Sequence, residues 1–273
     1  MVPSEPVGDT FVHQLATNGP MARDPGDLAL MLDVISGRDP RQPHGAPRSQ
    51  ISPLRAANPK GMRIGWLGNW GGAFAMDPGI MEQSESALKV LESLGAIVEP
   101  VAPPFSADAM WDSWTTLRSW QVGAGLAPLM REGRASFKDT AIWEVERGLS
   151  LSAFDVHNAS VIRSDWFACA ADLFSRYDAL VLPTAQVWPF DLDTEFPTEI
   201  AGRAMDTYHR WMQVMIPVSL IGLPCLGVPA GFGANGLPAG VQLIGARGSD
   251  AALLALGEAY HQATMWPQKR PGA

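Results

Sequence analysis

Between Met62 and Val101 the sequence spells a strand, a helix and a second strand in quick succession. Met62 to Leu67 is a short apolar run. Asp77-Pro78 opens a helical stretch with Ile80, Ala87, Leu88, Leu91 and Leu94 on one face, Gly95 stops it, and Ile97 to Val101 reads as the returning strand. Strands joined by a crossover helix pair in parallel, and a parallel sheet is stable only when both faces are covered. The unit therefore calls for an α/β fold in which a sheet is sandwiched between helical layers. The apolar fraction of 47% and the charged fraction of 18% supply such a core and argue against disorder. At 273 residues, one large domain spanning 1–273 is the reading.

Other segments fit this plan. Residues 1 to 18 hold turn formers without a periodic face and read as an extended lead-in. Asp24 caps a helix with Pro25 in its first turn, Leu28, Met31, Leu32 and Ile35 on one face, and Gly37 at its end. Arg38 to Lys60 is proline-rich and reads as a surface connection. Residues 106 to 177 are mostly helical, with Ser106 and Ser152 as caps. Ala179 to Leu182 is a fully apolar strand, followed by a long loop to Thr198 of the kind that often carries function. A helix is expected from about Arg203 to Leu220, carrying Tyr208, Trp211, Met212, Met215 and Ile216. Cys225 to Val228 and Gly240 to Ile244 read as strands around an Asn235-Gly236 turn, and Ser249-Asp250 caps a last helix through Ala263.

A net charge of −8 with four lysines gives no clustered basic surface, so neither nucleic acid nor an anionic membrane is an expected partner. No transmembrane or signal segment stands out, and a cytoplasmic location follows as the expectation. Cys169 and Cys225, each in apolar sequence, read as two buried free thiols, and Asn158-Ala159-Ser160 as a chance match to a glycosylation site.

The chemical motifs are weak one by one. Gly231 to Gly236 matches the G-x-G-x-x-G of dinucleotide sites, but a strand entry follows where a helix is required, so a hairpin is preferred and no cofactor is expected. Ser86 and Lys89 match S-x-x-K, yet they lie opposite the apolar face of their helix and should point to water. The histidines at 13, 44, 157, 209 and 261 form no ligand pattern, so no metal is expected, and Asp191, Asp193 and Glu195 read as a solvated turn. Trp111, Trp114, Trp120, Trp188 and Trp211 read first as core packing over the sheet, with the walls of an aromatic acyl pocket as the alternative.

Three segments taken together resemble the amidase-signature family: Asn18-Gly-Pro-Met-Ala-Arg23 with Asp27 to Pro40, Gly222-Leu-Pro-Cys-Leu-Gly-Val-Pro-Ala-Gly231, and Gly236-Leu-Pro-Ala-Gly-Val-Gln-Leu-Ile-Gly245 leading into Asp250-Ala-Ala-Leu-Leu254. All three are scaffold. The resemblance implies hydrolysis of a carboxylic amide, a C–N bond, through a serine acyl-enzyme, with a second serine in a cis peptide and a lysine as the proton relay. It also implies that these groups lie before Gly19. The 18 residues there contain Ser4, no lysine and no Gly-Ser-Ser-Gly. The expectation is thus an N-terminally incomplete amidase-like domain with an incomplete catalytic triad and no catalytic residue of its own. Val2-Pro3 resembles the end of the family's Gly-Arg-Val-Pro stretch.

Such a chain would supply one wall of the acyl pocket, with Trp114, Thr184, Trp188, Met212 and Ile216 as the candidate substrate-binding residues. Its expected partners are the small-molecule amide of the complete enzyme and either a missing N-terminal segment or another copy of itself. Two rivals are a noncatalytic product or subunit whose partner carries the serine, and an ester or carbamate hydrolase on the same scaffold.

Overall fold

The computed structural model describes residues 2, 9–12, 15, 18–45 and 50–268. Pro3, Ser4, His13 and most of the expected lead-in lie outside the described residues. In chain order the elements are α1 (Pro25–Ile35), β1 (Arg63–Trp66), α2 (Ile80–Ser93), β2 (Ile97–Pro100), α3 (Ala107–Gly133), α4 (Asp139–Ser150), α5 (Ala153–Leu173), β3 (Ala179–Pro183), β4 (Glu199–Ile200), β5 (Arg203–Ala204), α6 (Ile216–Ser219), β6 (Cys225–Phe232), β7 (Pro238–Ile244) and α7 (Asp250–Thr264).

Five strands form one mixed sheet in the order β2-β1-β3-β7-β6. β1 pairs in parallel with β2 and with β3, matching Ile64 to Val98 and to Ala179. β7 runs antiparallel to both β3 and β6. All five residues of β3 are buried, and they divide by alternation. Ala179 and Val181 belong to a core with Ile64, Ala87, Leu91, Leu243, Leu254 and Tyr260. Leu180 and Leu182 belong to a second core with Trp111, Trp114, Trp166 and Leu220 on the other face. The sheet is therefore covered on both sides, by α1, α2 and α7 on one and by α3, α5 and α6 on the other. No described helix is long and apolar enough to cross a membrane.

Local chemistry accounts for most boundaries. The Ser106 hydroxyl accepts from Ala109 N at the start of α3, and Ser152 makes a reciprocal capping box with Asp155 at the start of α5. The crossover helix begins one turn later than its Asp77-Pro78 signal, after Gly79 at φ +91°, and ends at Gly95 at φ +96°. A Cβ at Gly95 would stand 3.1 Å from the Lys60 backbone, so this stop needs glycine on two counts. The hairpin closes through Gly236 at φ +75°, with Gly233 N donating to Leu237 O at 2.9 Å, and the glycine motif leads into a strand.

Four expectations are corrected. α1 keeps its Asp24 cap but buries Pro25, Ala29 and Asp33, leaving Met31 and Ile35 exposed beside Leu30 and Val34. The rotation follows from Asp33, whose carboxylate accepts from Ile51 N at 2.7 Å, from Ser52 N at 2.8 Å and from the Ser52 hydroxyl, tying the proline-rich connection to the helix. The single helix expected over 203–220 is broken into β5, a 3-10 stretch (Arg210–Met215) and α6. Ala201 and Gly202 take positive φ and turn the chain into a β4–β5 hairpin, Met212 departs from helical geometry, and Pro217 has no N–H to give. At α7 the Ser249 hydroxyl donates to Ala246 O at 2.7 Å and does not cap the helix. Of the two thiols read as buried, Cys225 is surface-exposed as a residue on edge strand β6 although desolvation pushes its thiol up to about 12, while Cys169 is half-buried and donates to Pro104 O at 3.3 Å.

Replacing Asp33 by alanine leaves two backbone N–H groups without their charged acceptor. Each such bond contributes about 1.5–3 kcal/mol, so Asp33→Ala should lower unfolding stability by about 3–6 kcal/mol in urea denaturation.

Candidate functional site

β3 ends at Pro183, and the next residues wrap a small cavity. Thr184 N donates to Gly240 O at 3.0 Å, which continues the β7 pairing by one residue. Gln186 then turns inward. Its Nε2 donates to Ala75 O at 2.9 Å, its Oε1 accepts from Val214 N at 3.0 Å, and its carbonyl accepts from Asp77 N at 2.8 Å. Asp77 in turn takes Trp188 N at 3.2 Å, and the Trp188 indole N–H donates to Pro78 O at 2.9 Å. Gly79 and Gly233 lie against the same indole ring, where any side chain at Gly233 would collide with it.

These ties enclose a cavity of about 310 Å³ lined by Ile80, the Thr184–Phe190 loop, Trp211 and the hairpin residues Pro238 to Gly240. Phe190 meets Trp211 edge-on, with ring centroids 5.6 Å apart at 89°. Trp211 is carried by the 3-10 stretch, which is held at Val214 from two sides. Gln186 accepts from its N–H, and Gln242 Nε2 donates to its carbonyl at 3.3 Å and to Pro183 O at 2.8 Å. Val214 O needs this outside donor because its i+3 neighbour is Pro217.

Of the five residues singled out in the sequence, Thr184 and Trp188 line the cavity. Trp114 and Ile216 sit in the core cluster on the α3 face of the sheet, and Met212 lies half-buried at the kink beside Trp211. Trp211 had a signal as one of several aromatic candidates. Phe190 fell within the long loop flagged as functional. Ile80 and Pro238 to Gly240 read only as helix face and strand entry, and nothing local marked them as lining residues.

The cavity can bind but has little with which to react. No lining residue ionises, and the single side-chain hydroxyl is that of Thr184. Ser86 and Lys89 are exposed on α2, with the Ser86 hydroxyl donating to Glu82 O at 3.0 Å. Among the described residues no three His, Cys, Asp or Glu side chains converge as a metal site would require.

A second polar cluster lies between α3, α4 and the 3-10 stretch. Arg118 Nε is 2.8 Å from Glu144 Oε1 and donates to His209 Nε2 at 3.0 Å, with the Trp114 ring edge-on to His209 at 5.4 Å. Burial alone would raise the Glu144 carboxyl, but the neighbouring His209 and Arg118 outweigh this and hold it below its ordinary value. Glu144 Oε1 is buried without a hydrogen-bond partner of its own, held only by the charge of Arg118, and the cluster ties α3, α4 and the 3-10 stretch together.

The family model for Amidase matches residues 1–254. An acylamidase of Rhodococcus erythropolis is 28% identical over 278 aligned positions, covering 95% of this chain and 54% of the relative. A glutamyl-tRNA(Gln) amidotransferase subunit of Chloroflexus aurantiacus is 29% identical, covering 93% and 55%. The crystal structure of a bacterial aryl acylamidase of the amidase-signature family superposes with a TM-score of 0.84 at 28% identity, over 99% of this chain and 59% of that one. The chain spans about half the length of the curated relatives it matches.

Gln186→Leu strands the buried Val214 N–H and Ala75 C=O. At about 1–3 kcal/mol for each unpaired group, the variant should lose about 2–5 kcal/mol in denaturant unfolding. Glu144 makes a separate, pH-dependent contribution. Because its folded pKa is lowered, its contribution is present above the ordinary carboxylate range and lost as pH falls through the folded value. Glu144→Gln should therefore destabilise at neutral pH, with the gap to wild type closing below about pH 4. A gap that stays constant with pH would refute the pairing.

Proposed function

The chain belongs to the amidase family, and on that premise we propose that it forms the scaffold and the acyl-pocket wall of an amide hydrolase whose nucleophile and base come from outside these residues. The observation that carries this reading is the cavity beyond β3: a preformed apolar wall with no acid, base or activated nucleophile in it. In the proposed reaction a serine oxygen attacks the amide carbonyl. The C–N bond breaks as the relay protonates the departing amine, and water then cleaves the acyl ester and regenerates the serine. Thr184 and Trp188 contribute wall surface, and Trp114, Met212 and Ile216 are assigned the support behind it.

Two outward surfaces suit a completing segment. β6 is an edge strand whose Cys225, Gly227 and Pro229 are exposed, and its free side offers backbone donors and acceptors to a further strand. α1 presents Leu30, Met31, Val34 and Ile35, with Val34 74% exposed. Apolar side chains gathered on one helical face mark a contact surface. The reading of the chain as one component of a complex draws support from the same edge, since one relative is named as part of an amidotransferase.

The purified chain alone should hydrolyse neither amide nor activated ester above background and should resist serine-directed fluorophosphonate, because loss of a nucleophile–base unit costs about 10⁶ in kcat. It should self-associate in light scattering across a dilution series. Co-expression with a segment carrying the family's lysine and Gly-Ser-Ser-Gly should restore both solubility and hydrolysis. Stoichiometric labelling of the chain alone, or a cooperative monomer indifferent to the segment, would defeat the reading.

A further inference from the structure

α1 keeps an apolar face that the rest of the chain leaves bare. At about 100° per residue, Asp27, Leu30, Met31, Val34 and Ile35 fall within one arc, opposite the buried Pro25, Ala29 and Asp33. The four apolar members of that arc are all exposed, and apolar side chains gathered in this way mark a contact surface. The order of the residues fits one kind of partner. Turned end for end about a point between Leu32 and Asp33, the face maps onto itself: Leu30 falls on Ile35, Met31 on Val34, and Asp27 on Arg38 in the turn just past the helix.

Charge follows the same symmetry. Asp24 and Asp27 outweigh Arg23 at the N-terminal end, and Arg38 is left over at the other end once Asp39 and Arg41 pair at 2.8 Å. Among the described residues neither the Asp27 carboxylate nor the Arg38 guanidinium has a hydrogen-bond or ion-pair partner. Each end is also concave. A recess of about 640 Å³ is bordered by Met21, Arg23, Asp27, Leu30 and Met31, and one of about 450 Å³ by Ile35, Gly37, Arg38 and Arg41. An antiparallel helix pair would in addition set each positive N-terminal end of the helix dipole beside a negative C-terminal end.

We propose that two copies of this chain associate through α1, packed antiparallel about a twofold axis. Leu30 and Met31 of each copy lie against the partner's Ile35 and the partner's Val34, and Asp27 lies against the partner's Arg38. A self-complementary contact of this kind closes at two copies. One face of an 11-residue helix falls short of the roughly 800 Å² per partner of a standard interface, so the recess borders must add to it and the dimer should dissociate in about the micromolar range. A second copy on α1 does not depend on the hydrolase reading, and it leaves the β6 edge to a completing segment.

The test is sedimentation equilibrium of the 273-residue chain, which should show monomer and dimer in exchange. Val34→Glu should weaken the dimer by about tenfold or more, because it sets a carboxylate among apolar side chains. Asp27→Arg and Arg38→Asp should each weaken it by about fivefold at low salt, since either change places like charges together at two symmetric contacts. The double variant Asp27→Arg/Arg38→Asp restores both pairs in reverse and should return to within about twofold of the parent. A purely local role for either residue would not produce that recovery, and thermal unfolding shows whether each variant is folded. A chain that stays monomeric at about 100 μM, association unmoved by Val34→Glu, or a charge reversal without recovery would overturn the proposal. Loss of the dimer on adding the completing segment would overturn it too, because α1 would then belong to that segment.

Discussion

The structure depends on β3, a five-residue strand buried along its whole length between a parallel neighbour, β1, and an antiparallel one, β7. A strand in that position can present only apolar side chains to both faces, so each face must be covered by its own layer of helices. Ala179 and Val181 recruit α2 and α7, while Leu180 and Leu182 recruit α3 and α5 through their tryptophans. The change from parallel to antiparallel pairing across β3 also brings the C-terminal hairpin beside the end of the strand. The loop that leaves Pro183 then has the hairpin on one side and the start of α2 on the other, and the cavity is the space left between them.

The remaining wall is set by a problem of backbone accounting. Pro217 denies the 3-10 stretch a donor for the carbonyl of Val214, and the non-helical Met212 interrupts the ladder on the other side. Buried backbone groups without partners cannot persist. Two glutamine side chains from neighbouring elements, Gln186 and Gln242, supply what the segment lacks. Their amides fix the 3-10 stretch at one residue relative to the sheet, and that residue stands three positions from Trp211. The position of the aromatic wall is thus decided by side chains distant in sequence from it.

This division explains which features could be read in advance. The βαβ unit, the Ser152 cap, the hairpin and the fully apolar strand are each specified by neighbouring residues and each formed, with the crossover helix starting after Gly79 and not at Asp77-Pro78. The inward turn of Asp33 and the exposure of Cys225 depend on a partner 18 residues away and on where an edge falls in the sheet, whereas the break over 203–220 follows the turn at Gly202 and the missing N–H of Pro217. Periodicity registers Asp33 only as a polar residue beside an apolar face, and it carries no information on a strand's place in the sheet. The candidate site divides the same way. Thr184 and Trp188 announced themselves by sitting after an apolar strand in a long loop, whereas Ile80 and Gly240 line the cavity only because tertiary packing brings α2 and the hairpin there.

The cavity's own residues also decide what they cannot do. A nucleophile for acyl transfer needs a base within hydrogen-bond reach and donors placed for the developing oxyanion. Thr184 carries the one lining hydroxyl. Its side chain lies over Gly240, where a Cβ would press on Oγ1 at 2.9 Å, and no lining residue offers it a base. The serine and lysine spaced by one helical turn, Ser86 and Lys89, are on the solvent face of α2, with the hydroxyl already committed to the helix backbone. In the Arg118–Glu144–His209 cluster Arg118 stands beside both Glu144 and His209, and none of the three lines the cavity. Recognition and reaction are therefore separable here. The apolar, uncharged walls carry no acid, base or activated nucleophile among the lining residues.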